Sequence, residues 1–342
     1  MLRARIVGIA VALLVASSCA STKTEPASLT LLTLNLANGA GDVYRTPAAR
    51  AREAAFVAGT GAQLVALEEV DLDVERSGRV DCAREVAAID CTVSDPPFTP
   101  DGVRRCTGAG AAVLFGRAFQ GDDPYDATSG IPSGIIDDDP SINPPGTDRS
   151  AAASFGDALI ARVGVTDAYV VELPTDAAQV ADDPLFADLA RDPPSEAARA
   201  TLAARNVTLR QGPAIEPRVV LVTRVPRVGA RTLSVLVTHL ESADPSGAVR
   251  ARQLDRVLAV AKAERAGPPA RDVVVLGDFN QAASDSAAPM SAAGLRQAAG
   301  PLDDRSVIDQ IWIDETLALV GADLVPTGGV SDHAFAARAV VR

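Results

Sequence analysis

Two histidines and a scatter of carboxylates and carboxamides at the ends of apolar runs carry whatever chemistry this chain performs. The densest case is DVVVLGDFN, Asp272–Asn280. Val273–Leu276 reads as a strand buried on both faces. Gly277 permits a tight turn, and Asp278 and Asn280 stand just past the strand's carboxyl end. Alone, such a segment is equally well an ordinary strand closed by an Asx turn. The chain has only two histidines, however, and both lie at strand ends beside acids: His239 closing LSVLVTHL and His333 in Ser331-Asp332-His333. Collecting the polar groups at such ends gives Asn35, Glu69, His239, Asp278, Asn280, Asp309, Asp332 and His333. Oxygen donors of this kind suit a hard cation such as Mg²⁺, with Mn²⁺ or Ca²⁺ as substitutes. Two imidazoles then remain for proton transfer and for charge on a phosphoryl oxygen.

The elements that must position these groups are legible as alternating strands and helices. LTLLTLNL (Leu29–Leu36) reads as a first strand, followed by a turn at Asn38-Gly39. Pro47–Gly59 has helical composition and opens on a Thr-Pro pair suited to a helix start. QLVALEEV (Gln63–Val70) is a second buried strand that runs into two acids. Further on, Asp157–Val165 and Ala168–Leu173 are short apolar runs, and Asp182–Asn206 looks helical and Ala-rich. Val219–Val225 and Arg231–Leu240 form a strand pair, and Ala248–Arg265 an amphipathic helix with Leu254, Val257, Leu258 and Ala261 on one face. Ser306–Asp314 and His333–Val341 are two more strands. Strands interleaved with helices predict an α/β or mixed-sheet layer.

Bulk properties narrow the classes. The chain has 342 residues, 47% hydrophobic but only 4% aromatic, so its core must be built from Ala, Val and Leu. A net charge of −12 argues against a broad basic nucleic-acid surface. It does not exclude an enzyme that meets a few phosphates through a metal. Residues 1–20 read as a signal peptide, with Arg3 and Arg5 before the apolar run Ile6–Val15. That run is too short to span a bilayer alone. Ala16-Ser17-Ser18-Cys19 resembles a lipobox, so Cys19 is the expected lipidation site and 21–28 a tether. Export to the cell envelope, or secretion, is thus expected. An oxidising compartment lets Cys82, Cys91 and Cys106 form one disulfide, with Cys82–Cys91 slightly favoured for its short loop. No histidine accompanies them, which argues against zinc there. Residues 71–154 are rich in Pro, Gly and acids and read as an insertion, either a binding lid or disordered, with one strand near Gly110–Phe115. Within it Asp137-Asp138-Asp139 reads as a solvated acidic turn rather than a calcium site.

Taken in order, LNLANG, ALEEV, THLES, GDFN, IDQIW and SDHAF resemble the motifs of the endonuclease/exonuclease/phosphatase superfamily, the deoxyribonuclease I-like fold. The resemblance runs from about Leu29 to Arg342, and the pairing of GDFN with SDH is its most specific part. It implies an α+β four-layer sandwich, two packed mixed β-sheets flanked by helices, and Mg²⁺-dependent phosphoester hydrolysis. It assigns metal binding to Asn35, Glu69 and Asp332. Asp278 and Asn280 would position the water and the phosphate. His333 would be the base, oriented by Asp309, and His239 would stabilise the transition state or protonate the leaving oxygen. Arg218 would bind phosphate. Two departures stand out: Glu68 occupies the usual Gln position before Glu69, and Gln310 replaces an aromatic after Asp309, with Trp312 following.

The leading expectation is therefore a monomeric phosphodiesterase acting on nucleic acid. The alternatives are a sphingomyelinase-like phosphodiesterase or phosphatase acting on phospholipid headgroups, and a non-catalytic binding lipoprotein that keeps the fold. No Gly-x-Ser-x-Gly elbow accompanies either histidine, which excludes a serine hydrolase of that type.

Overall fold

The computed structural model describes residues 28–37, 46–74, 77–93, 97–108, 110–120, 135–136, 153–174, 208–209, 217–227, 230–242, 247–301 and 304–342. The expected signal peptide with Cys19, the acidic triplet Asp137–Asp139 and the expected helix Asp182–Asn206 lie outside these residues.

Two mixed sheets make the body of the molecule. The first contains β1 (Leu29–Asn35), β2 (Leu64–Leu72), β3 (Cys91–Val93), β4 (Val103–Gly108), β5 (Ala111–Gln120), β7 (Ser154–Ala161), β15 (Leu319–Pro326) and β16 (Phe335–Val341). Its order is β15-β16-β1-β2-β7-β5-β4-β3. The second contains β8 (Asp167–Glu172), β10 (Val219–Val225), β11 (Leu233–His239), β12 (Asp272–Asp278), β13 (Leu295–Gln297) and β14 (Asp309–Asp314), in the order β13-β14-β12-β11-β10-β8. A short pair, β6 (Ile135–Ile136) with β9 (Thr208–Leu209), stands apart.

Each large sheet has one parallel pair among otherwise antiparallel neighbours: β1 with β2, and β11 with β12. Parallel neighbours end at the same edge, so each pair delivers two carboxyl-terminal residues side by side. In the first sheet these are Asn35 and Glu68, and in the second His239 and Asp278. The antiparallel β14 then starts at Asp309, opposite Asp278.

The period of two sorts each strand's side chains between two cores. One set from each sheet (Leu31, Leu64, Leu114 and Leu159 with Val235, Val237, Leu276 and Ile311) meets in a single cluster between the sheets. The opposite set of the first sheet packs under α1 (Pro47–Thr60) and α2 (Cys82–Ala87). That of the second packs under α3 (Ala248–Ala266) and α4 (Ala283–Ala292), around Trp312. Strands buried on both faces are why the sequence shows continuous apolar runs instead of alternation. The result is the expected four-layer sandwich of two mixed sheets flanked by helices.

The helix starts follow side-chain capping. The Thr46 hydroxyl accepts from Ala49 N at 3.1 Å with Pro47 as first residue, and Gly61 closes α1 in the left-handed conformation. Asp81 caps α2 in the same way, accepting from Arg84 N at 3.0 Å.

Two expectations are corrected here. Much of the segment read as an insertion is integral to the first sheet: α2 covers its outer face, and β3, β4 and β5 extend it. Its Pro, Gly and charge content hid short strands whose outer faces are only half-buried. The disulfide joins Cys91 to Cys106, not to Cys82. Cys91 and Cys106 sit on adjacent antiparallel strands with Cα atoms 5.4 Å apart, whereas Cys82 starts a helix and stays a buried thiol. Proximity in sequence was a poorer guide than strand pairing.

Candidate active site

The site lies where the two parallel pairs end. Gly277 brings β12 to this edge in a way no other residue could: its φ is +146°, and an added Cβ would stand 1.8 Å from the Thr238 carbonyl oxygen. That close approach keeps Asp278 beside His239. After the strand, Asn280 adopts a positive φ of 49° while its N–H donates to Asp278 Oδ1 at 2.8 Å, an Asx turn that aims the amide back into the site.

In β2 the two acids part company. The pairing with β7 slips between Leu67 and Val70, and Glu69 has a φ of +55°. Such a bulge places two residues opposite one and re-aims a side chain. Glu68 turns into the interior and is fully buried, while Glu69 faces the mouth. Holding a non-Gly residue left-handed costs about 1 kcal/mol, a cost that recurs at functional positions.

Asn35, Glu69 and Asp278 converge directly. Asn35 Nδ2 donates to Glu69 Oε1 at 3.1 Å and to Asp278 Oδ2 at 3.0 Å. His239 Nε2 stands 3.4 Å from Asp278 Oδ2 and 3.8 Å from Glu69 Oε1. Asn280 Nδ2 lies 2.9 Å from the same ring nitrogen and donates to the Leu240 carbonyl at 2.8 Å. On the other side, Asp309 Oδ2 bonds His333 Nδ1 at 2.8 Å, and His333 Nε2 lies 3.7 Å from Asp278 Oδ2. Ser331 fixes this loop to the first sheet: its hydroxyl donates to the Asn35 carbonyl at 2.7 Å and accepts from His333 N at 3.0 Å.

Crowding so many acids in a buried place shifts their protons. Burial, then the charge of Asp309, push the Glu68 carboxyl well above the carboxylate range. Burial likewise raises Asp278 and Asp309. Burial opposes charge on His333, but the hydrogen bond its Nδ1–H donates to Asp309 and the charges of Asp309, Asp278 and Asp332 outweigh it and hold the ring protonated. Burial, Arg218 and His333 all push His239 down, so it is neutral. One oxygen of Glu68 and one of Asp309 are buried without a hydrogen-bond partner. Acids that keep protons and leave oxygens unmet fit a bound cation. Ligating atoms of Glu69, His239 and Asp278, and separately of Asp278, Asp309 and His333, lie within 4.8 Å of one another.

Seven of the residues singled out in the sequence thus meet in one cluster: Asn35, Glu69, His239, Asp278, Asn280, Asp309 and His333. Two are placed differently. Asp332 is exposed at the rim and outside both ligating groups, with only a 3.5 Å contact from the Ser331 hydroxyl. Arg218 is buried behind His239, its Nη1 2.6 Å from Nδ1. Gln310 does not line the site at all. It lies on the helix-facing side of β14, donates to the Gln281 carbonyl at 2.6 Å and accepts from Trp312 Nε1 at 2.8 Å, bracing the turn that holds Asn280.

Sequence reading missed Asp157. This carboxyl is buried in β7, opposite the bulge, accepts from the His239 backbone N–H and lies by Arg218; burial pushes it up to about 8. An acid at the head of an otherwise apolar run was the signal, and the reading of Asp157–Val165 as merely a short apolar run passed over it.

The fold and this site together define a two-sheet α+β sandwich whose acids and histidines gather at one edge. The chain belongs to the Endonuclease/Exonuclease/phosphatase family, whose model matches residues 32–333. Solved structures agree on the fold. An endonuclease/exonuclease/phosphatase from Beutenbergia cavernae DSM 12333 is 16% identical with a TM-score of 0.55, over 92% of this chain and 71% of that one. The human Nocturnin catalytic domain with bound sulfate anion is 12% identical with a TM-score of 0.53, over 92% and 94%. Truncated Caenorhabditis elegans TDP2 is 12% identical with a TM-score of 0.50, over 92% and 97%. No curated protein matches the sequence.

Proposed function

We propose that the protein is a divalent-cation-dependent phosphoester hydrolase, a phosphodiesterase acting on nucleic acid, with Mg²⁺ as the working ion. The observation that carries this reading is the meeting of Asn35, Glu69 and Asp278 with two differently protonated histidines at one edge of the sandwich. Glu69 and Asp278 would hold the cation, oriented by Asn35 Nδ2, which donates to both, and with Asp332 at the rim. When bound, the ion would neutralise these carboxylates and supply Lewis-acid charge to a phosphoryl oxygen.

The remaining roles fall to the chain's own groups. His333, with Nδ1 committed to Asp309, turns Nε2 toward the site. A cation on the neighbouring carboxylates would cancel the charges that hold its ring protonated, so that Nε2 would give up its hydrogen and then take one from the attacking water. Asp309 orients the ring and balances the charge it gains. Asn280 and His239 donate hydrogen bonds to the phosphoryl oxygens as charge builds there.

The signal peptide and lipobox support an exported, lipid-anchored monomer held through Cys19, with the catalytic domain following the tether from residue 29. That location favours one second reading, a sphingomyelinase-like phosphodiesterase or phosphatase on phospholipid headgroups. Among the described residues the exposed large apolar side chains are only Val320 and Phe335, which offers little for membrane insertion.

The test is hydrolysis by the purified chain, with Mg²⁺ and again with EDTA, of supercoiled DNA, bis-p-nitrophenyl phosphate, p-nitrophenyl phosphate and sphingomyelin. Mg²⁺-dependent cleavage of the first two supports the nucleic-acid reading, whereas cleavage of sphingomyelin alone supports the lipid one. A folded protein inert on all four would leave a narrow substrate outside the panel or the non-catalytic lipoprotein, and Mg²⁺ binding would be measured next.

A further inference from the structure

Arg218 is buried, not presented to substrate, and its one-sided chemistry has a consequence for His239. The guanidinium has hydrogens only to give and keeps its charge throughout the working pH range. Its 2.6 Å approach to His239 Nδ1 is therefore a hydrogen bond only if Nδ1 offers a lone pair. A neutral imidazole carries a single N–H, so that hydrogen must sit on Nε2.

Nε2 is the corner that faces the site, 3.4 Å from Asp278 Oδ2 and 3.8 Å from Glu69 Oε1. Asn280 Nδ2 also stands there at 2.9 Å, but a neutral ring cannot accept at both corners. Arg218 has no acceptor to offer instead, and its charged donor at 2.6 Å outweighs the neutral Asn280 amide, which keeps one hydrogen on the Leu240 carbonyl and would turn the other away from the ring. Of the two carboxylates, Asp278 Oδ2 is the one within reach of the Nε2 hydrogen. Asp157 braces the arrangement from behind, lying by Arg218 and accepting the backbone N–H of His239 itself.

We propose that Arg218, braced by Asp157, is a positioning residue that locks His239 as the Nε2–H tautomer and so withholds its nitrogen from the cation. Glu69, His239 and Asp278 would otherwise make the mixed nitrogen and oxygen set that Zn²⁺ takes. A protonated Nε2 has no lone pair to give a metal, so on the Glu69 side the site keeps oxygen donors alone and prefers a hard ion. The same tautomer settles the role of His239 in turnover. It donates a hydrogen bond to a phosphoryl oxygen, and it holds no second proton to release to a leaving group. Only that last role rests on the hydrolase reading; the tautomer and the metal preference do not.

The test is long-range ¹H–¹⁵N correlation of the histidine rings in the ¹⁵N-labelled full chain at neutral pH, with and without Mg²⁺. Only two histidines are present, so His333→Asn assigns the signals. The expected spectrum has His239 Nδ1 unprotonated and Nε2 protonated in both conditions. A protonated Nδ1, or a bare Nε2, would overturn the proposal whether or not the protein hydrolyses anything.

A variant series separates positioning from mere structure. Arg218→Lys keeps a donor-only group and should keep the tautomer. Arg218→Met with Asp157→Asn removes both the donor and the acid it would strand. There the Nδ1–H form should appear and Zn²⁺ affinity, by titration calorimetry, should rise at least about tenfold. Unchanged Zn²⁺ affinity in a folded double variant would sink the idea. If that variant does not fold, the wild-type spectrum and Arg218→Lys still decide.

Discussion

At the scale of single residues, the site separates groups that do chemistry from groups that set their state. Asp309 touches only His333 Nδ1 by its Oδ2, while its Oδ1 is buried without a hydrogen-bond partner. Asp309→Asn should therefore lower kcat by about 10²- to 10³-fold and leave the thermal midpoint unchanged or raised; a folded variant with full turnover would remove Asp309 from the mechanism. Glu53 allows a separate pH prediction away from the site. It is buried on α1, and burial pushes its carboxyl from near 4.5 to about 8, against the pull of Arg50 and Arg52. Folding thus binds a proton between those two pH values, so stability falls as pH rises through this window and levels off above about 8. Glu53→Gln should flatten that slope, matching the wild type near pH 4 and melting roughly 2–5 °C higher at pH 9. Parallel melting curves across the whole range would refute it.

At the scale of elements, the strand ends are what the sequence displayed best. DVVVLGDFN, ALEEV and LTLLTLN are buried on both faces, so their apolar runs and terminal polar residues were legible without any partner strand. What stayed hidden depends on pairing. Glu69 owes its aim to a bulge that exists only against β7, and Arg218 acquires its meaning only when β10 lies beside β11. Asp332 was assigned to the metal by the resemblance of SDHAF to a family motif, and its exposure at the rim depends on the loop before β16. The helix α4, with Pro289 inside it, and the exposed edge strand β15 carry no apolar periodicity strong enough to read. Two predictions belong here. Gly277→Ala should destabilise by roughly 2–4 kcal/mol and cost activity, since β12 must retreat from Thr238; a variant with native denaturant midpoint would contradict the close approach. Cutting the Cys91–Cys106 bond by serine substitution should cost about 3 kcal/mol for a loop of this separation, measured by urea unfolding, whereas Cys82→Ser should leave the oxidised protein's disulfide intact.

At the scale of the whole molecule, the acids of the site are a liability without a counter-charge. Mg²⁺ that binds only the folded chain should raise the thermal midpoint with concentration, by about 2–3 kcal/mol of stabilisation at a hundredfold excess over Kd. Glu69→Gln should blunt that increment, and an undiminished rise would place the ion elsewhere. The order of strands adds a point about time. The first sheet is begun by β1, left for the whole of the second sheet, and finished by β15 and β16, which return to lie beside β1. His333 stands on the loop that leads into that final strand. A chain emerging from the ribosome can build most of both sheets, and even set Asp278 beside His239, long before the last imidazole is made. Synthesis in the order β1 to β16 thus supplies the second imidazole of the cluster after its other members.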